Sequence, residues 1–93
     1  MNAPSKKFQE HRESADRYQG EIYRLGNWRI AVCKDQLQWL IQRRTRAQSL
    51  AGPRWVSKKF CCTRKALIRD WANLTGDDGA TVLALLPEHI ARC

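Results

Sequence analysis

Residues 28–44 read Trp28-Arg29-Ile30-Ala31-Val32-Cys33-Lys34-Asp35-Gln36-Leu37-Gln38-Trp39-Leu40-Ile41-Gln42-Arg43-Arg44, and this stretch decides the fold. Successive side chains of a strand point to opposite faces, so a period of two in hydrophobicity marks a half-buried strand. Trp28, Ile30 and Val32 share one face of the first half, and Leu37, Trp39 and Ile41 share one face of the second. The polar Lys34-Asp35-Gln36 between them is short enough to turn a hairpin. Two antiparallel strands near 28–33 and 37–44 are expected. In that register Arg29, Ala31 and Cys33, and then Gln38, Leu40, Gln42 and Arg44, face away from the core.

Working outward, Ile22-Tyr23-Arg24-Leu25 precedes the breaker pair Gly26-Asn27 and is a candidate extra strand closed by a tight turn. After Arg44 the segment from Thr45 to Gly52-Pro53 reads as a loop, and residues 54–62 read as a third strand. The phase of that strand is ambiguous: Trp55 belongs to one alternating set and Phe60 to the other, a conflict that a bulge would reconcile. Thr63 suits a helix N-cap, Leu67, Ile68, Trp71 and Leu74 recur at helical spacing, and Gly76 is a stop, which places a helix near 64–75. A second helix is expected near 78–90, capped by Asp77 or Asp78, with Val82, Leu83, Leu86 and Ile90 as its stripe and Pro87 ending or kinking it. In residues 1–20, Phe8, Ala15 and Tyr18 fit one side of a short helix capped by Ser5, or a frayed tail. The expected fold is α+β: a three-stranded antiparallel sheet, four-stranded if residues 22–25 join. One face is covered by one or two C-terminal helices and the other is open, in a single domain over 21–93.

Ninety-three residues support one core, and 43% apolar with 28% charged residues is a globular composition. The formal net charge is +8 and resides in the middle: residues 21–75 carry +9, residues 1–20 carry +1 and residues 76–93 carry −2. Because these cations interleave with residues that must pack inward, they decorate a folded surface rather than a tail. There is no run of about 18 apolar residues and no leader-like apolar stretch after Met1, so the protein is expected to be neither membrane-spanning nor exported, and cytoplasmic. Cys33, Cys61, Cys62 and Cys93 are accordingly read as reduced thiols. They lack metal-site spacing, and His89 with Cys93 is half a site, so neither a metal nor another cofactor is expected.

The open sheet face carries the functional expectation. Arg can fork onto guanine and Gln onto adenine in a major groove wide enough for strands. This makes Arg29, Gln38, Gln42, Arg43 and Arg44 candidate contacts to nucleic acid, with Arg46 and Arg54 in the basic loop and Lys58 and Lys59 on the third strand. Arg64 and Lys65 stand at a helix N-terminus, where free N–H groups favour phosphate. A small non-enzymatic nucleic-acid-binding protein is expected, with double-stranded DNA ahead of RNA. The alternative is a phage- or mobile-element-type inhibitor, comparable to an anti-CRISPR protein, that binds a bacterial nucleoprotein complex with Trp55 and Arg54 as anchors. A small ribonuclease is disfavoured, because His11 and His89 lie off the basic sheet. Cys61 or Cys62 beside Arg64 and Lys65 would be activated thiols, but no base is visible for them. The stripe from Val82 to Ile90 either completes the core or pairs two copies as a homodimer.

The strand Trp28-Arg29-Ile30-Ala31-Val32-Cys33, the run Leu37 to Arg44 and the closing Lys58-Lys59-Phe60-Cys61-Cys62-Thr63-Arg64-Lys65-Ala66-Leu67 resemble a group of short uncharacterised bacterial proteins, a likeness that carries no function. The layout of residues 28–75 also resembles the arm-type DNA-binding domain of tyrosine recombinases and the plant AP2-like domain, whose three-stranded sheets enter a major groove. With an N-terminal helix it would resemble a double-stranded-RNA-binding domain. These resemblances imply duplex contact through the outward strand positions and through Arg64 and Lys65; the longer 45–53 loop, Trp55 and Cys62 depart from the pattern.

Overall fold

The computed structural model describes residues 12–45 and 54–90. Strands β1 (Glu21–Leu25), β2 (Trp28–Val32), β3 (Trp39–Arg44) and β4 (Trp55–Cys61) form one antiparallel meander in the order β1-β2-β3-β4, followed by helix α1 (Arg64–Thr75) and a single turn of helix α2 (Ala80–Leu83). The candidate extra strand is therefore real. Gly26 has a φ of 60° and stands first in a two-residue loop between the paired Leu25 and Trp28, the place a glycine takes in a tight hairpin.

The ambiguous phase of β4 resolves into a bulge. Ile41 pairs with Lys59 but Gln42 pairs with Ser57, so Lys58 has no partner in the ladder. One extra residue exchanges the two faces of a strand. Cys61 can thus join the face of Trp39 and Ile41, while Trp55 and Ser57 lie on the face of Gln42 and Arg44.

Helix α1 begins where expected, with the Thr63 hydroxyl accepting the Ala66 N–H at 3.1 Å, and ends at Gly76 in the left-handed conformation. Leu67 and Trp71 project from it onto Ile30, Trp39, Ile41 and Cys61 of the sheet, with Leu83 and Ile90 completing the cluster. Each large apolar side chain removed from water here contributes about 1.5–3 kcal/mol. The Trp71 indole N–H is not left bare: it donates to the Asp77 carboxylate at 3.0 Å.

Two expectations need correction. The second helix is one turn long. Leu85 and Leu86 bond back three residues, Pro87 lacks an N–H and disfavours helix in the residue before it, and the chain then runs so that His89 bridges Thr63. The stripe nevertheless serves the core: Leu83 and Ile90 are buried and Leu86 packs partly against them, while Leu85 stays exposed. Second, the far face of the sheet is not open. Residues 12–20 are neither helix nor loose tail but a strap of turns across that face, which bridges the sheet where Ala15 meets Arg54. Trp39, Leu40, Ile41 and Gln42 are consequently all buried, although a half-open sheet would expose alternate residues.

The strap ends in a close approach at Gly20, whose carbonyl accepts the Val32 N–H at 2.9 Å. A methyl group there would stand 2.6 Å from the Val32 carbonyl oxygen and from the Tyr18 ring. Gly20→Ala should therefore destabilise the fold by about 1–3 kcal/mol, read as a lowered urea midpoint.

Candidate nucleic-acid interface

The two residues that best fitted base reading are withdrawn from the surface. Arg29 is 0% exposed and Gln42 1%. A guanidinium has five N–H donors, and each one on Arg29 has a protein acceptor. Nε donates to Gln42 Oε1 at 2.7 Å. Nη1 donates to the Asp16 carbonyl and to Glu21 Oε1, and Nη2 to the carbonyls of Glu13 and Ala15. Gln42 uses its amide N–H groups on the Glu13 carbonyl and the Ser57 hydroxyl. Both side chains are fasteners for the strap: between them they bind the backbone carbonyls of Glu13, Ala15 and Asp16.

Trp55, considered above as a partner anchor, is 2% exposed and belongs to the same assembly. The guanidinium carbons of Arg29 and Arg24 stand 4.4 and 4.8 Å from its ring centroid, and its indole N–H donates to Asp16 Oδ1 at 2.9 Å. Arg24 is held by Asp16 and Glu21 and is not a free cation. Burial pushes the Asp16 carboxyl up. The Trp55 hydrogen bond and the Arg24 charge outweigh this and hold it below the usual carboxylate value. Tyr18, whose hydroxyl donates to the Val32 carbonyl at 2.6 Å, is pushed up to about 12 by burial and by the charge of Glu13.

At the other proposed contact, the helix N-terminus is covered by the chain's own C-terminal segment. The Arg64 N–H donates to the Glu88 carbonyl and its Nη1 to the Leu86 carbonyl, at 2.8 Å each. A cavity of about 500 Å³ lies alongside, lined by Thr63, Arg64, Lys65, Ile68, Glu88 and His89. Glu88 in that lining opposes an anion. Of the helix-end pair only Lys65 remains exposed. Among the described residues no cysteine stands as an exposed, activated thiol. Burial and the neighbouring Asp70 carboxylate push Cys61 up to about 11, Cys33 is buried, and Cys62 is disulfide-bonded, contrary to the expectation of reduced cysteines throughout.

What remains outside is a coherent set. Arg43, Arg44, Arg54, Lys58, Lys59 and Lys65 are exposed and form no ion pair among the described residues. Arg43 and Arg44 pair in register with Val56 and Trp55, Arg54 adjoins them, Lys58 and Lys59 continue along β4, and α1 packs beside that strand with Lys65. The guanidinium of Arg43 lies over the Trp28 ring at 5.5 Å. From Gln36 to Arg69 the chain has nine cations and no carboxylate. Gln38 is half-buried near the β2–β3 turn, away from this ribbon, and Arg46 lies outside the described residues. Sequence reasoning missed Phe60, which is 59% exposed amid these cations. No local pattern signals it: alternation leaves the phase of the strand open, and once the bulge is placed Phe60 shares a face with the buried Trp55, so only the reach of the strap decides that one is covered and the other exposed. Comparison with protein families, curated proteins and solved structures finds no match.

Two outcomes follow for the strap. Arg29→Ala should cost about 3–5 kcal/mol, since five hydrogen bonds and a large buried side chain are lost at once while Glu21 and the three carbonyls each give up a donor, and trypsin should then cut at Arg17 under native conditions; Arg29→Lys should not restore resistance, lacking the fork. The contribution of Asp16, whose folded value is depressed, is complete above its unfolded value near 4 and is lost as pH falls through the folded value. Asp16→Asn should flatten the acid limb of the urea midpoint measured against pH.

Proposed function

We propose that this protein binds nucleic acid through the ribbon formed by the β3 end, β4 and the first turn of α1. The observation that carries this reading is the segregation of charge. Asp16 and Glu21 pair with Arg24 and Arg29 and the Glu13 carboxylate accepts the Lys34 N–H, so that among the described residues the exposed cations of β3 and β4 form no ion pair, Asp16 and Asp70 lying near Arg44 and Lys59 without bonding them. Unpaired cations along a strand form a track for a polyanion, and release of condensed counterions supplies the driving force. With Arg29 and Gln42 sealed inside, the contacts on offer are to phosphates rather than to base edges. Such contacts position a ligand without reading its sequence.

The reading predicts a steep salt dependence. If about six cations meet phosphates, the slope of log K against log salt should be about −5 on duplex DNA. Replacing Lys58 and Lys59 by Ala should bring it to about −3.6. Lys34→Ala, which removes an exposed charge outside the ribbon, should leave the slope unchanged. Titrations by fluorescence anisotropy at several salt concentrations measure all three, and a slope near zero for the unaltered protein would sink the proposal.

A further inference from the structure

Strand β4 is an edge strand, and its outer edge is closed at both ends by the protein itself. Near its start the Trp55 N–H donates to the Ser14 carbonyl at 2.9 Å, and beyond its end the Ile90 N–H donates to the Cys62 carbonyl at 3.1 Å. Between these closures lies a short window in which Val56, Lys58, Lys59 and Phe60 are exposed. Phe60 pairs in register with Leu40, which is fully buried, so its backbone is held in a packed part of the sheet while its ring is exposed. Arg44 shares its face of the sheet; four residues of strand separate Leu40 from Arg44, about 13 Å.

We infer that this window takes a single-stranded polynucleotide, with one base stacked on Phe60 and the flanking phosphates on Lys58, Lys59, Arg44 and Arg54. The inference rests on the nucleic-acid reading above and deepens it by naming the form of the ligand. Strand addition by another protein is opposed by the bulge at Lys58 and by two adjacent lysines, devices that protect sheet edges from pairing. A second copy docked edge to edge about a two-fold axis would set these lysines against their own counterparts, where like charges are destabilising. A duplex offers phosphates but no free base face, because its bases are already stacked and paired. An unpaired strand offers both, and base–aromatic stacking accepts any base.

The test compares the unaltered protein with Phe60→Ala, Phe60→Leu, Phe60→Tyr and the Lys58→Ala/Lys59→Ala double variant. Each is titrated by anisotropy with an oligothymidylate of about 16 nucleotides and with a duplex of the same length at about 50 mM salt. The unaltered protein should prefer the single strand. Phe60→Ala and Phe60→Leu should weaken that complex about 5- to 150-fold while leaving duplex affinity unchanged, and Phe60→Tyr should retain it. Far-UV circular dichroism and thermal midpoints confirm that the exposed position leaves the fold intact. If Phe60→Ala leaves single-strand affinity unaltered while the lysine variant weakens it, stacking is overturned and phosphate binding survives. If neither oligonucleotide binds, both readings fall. A concentration-dependent dimer dispersed by Phe60→Ala would show that the window is occupied by a second copy and overturn the inference.

Discussion

The guanidinium of Arg29 holds this structure's two halves together. It sits in the middle of the sheet with no solvent contact, and a buried cation is tolerable only when its donors are all accepted and its charge is balanced. Both conditions are met by residues 13–21: three backbone carbonyls, and the carboxylate of Glu21 with that of Asp16 close by. Folding of the strap and burial of Arg29 are therefore one event. Without the strap the cation would keep its water; without the cation the carbonyls of Glu13, Ala15 and Asp16 would each lose one donor and keep only the weaker hold of Gln42, the Tyr18 N–H and Arg24.

That single constraint redistributes charge over the molecule. Carboxylates of the N-terminal region are drawn to Arg24 and Arg29, and the side of β3 and β4 is left cationic. The helix on the other face performs a different task. Leu67 and Trp71 close the main core, and the segment after Pro87 returns to the start of α1, where its carbonyls take up Arg64. The protein thus covers both faces of its sheet and the end of its helix with its own chain. The middle of β4 stays accessible, and it is the stretch that carries Lys58, Lys59 and Phe60.

The expectations fared differently according to how local their physics is. The strands at 28–32 and 39–44, the tight turn at Gly26, the Thr63 cap and the helix to Thr75 were legible because alternation, capping and glycine geometry are properties of neighbours along the chain. Of the candidate site residues, Arg43, Arg44, Arg54, Lys58, Lys59 and Lys65 are exposed as expected. Arg29, Gln42 and Arg64 are engaged internally. A warning lay in the outward set itself. Ala31 and Leu40 alternate with Arg29 and Gln42, and a face intended for water or for phosphates has little use for a Leu at its centre.

Composition and periodicity alone determined that this chain makes an antiparallel sheet with a helix against it and that its basic excess belongs to residues 21–75. Which cations reach solvent was decided only in three dimensions. An arginine on an outward strand position is equally compatible with water, a phosphate or a buried cage of carbonyls. The choice depends on whether a segment distant in sequence can bring acceptors to it. Here residues 13–16 do so across a separation of 13 to 16 positions, and no periodic pattern in the sequence encodes that encounter.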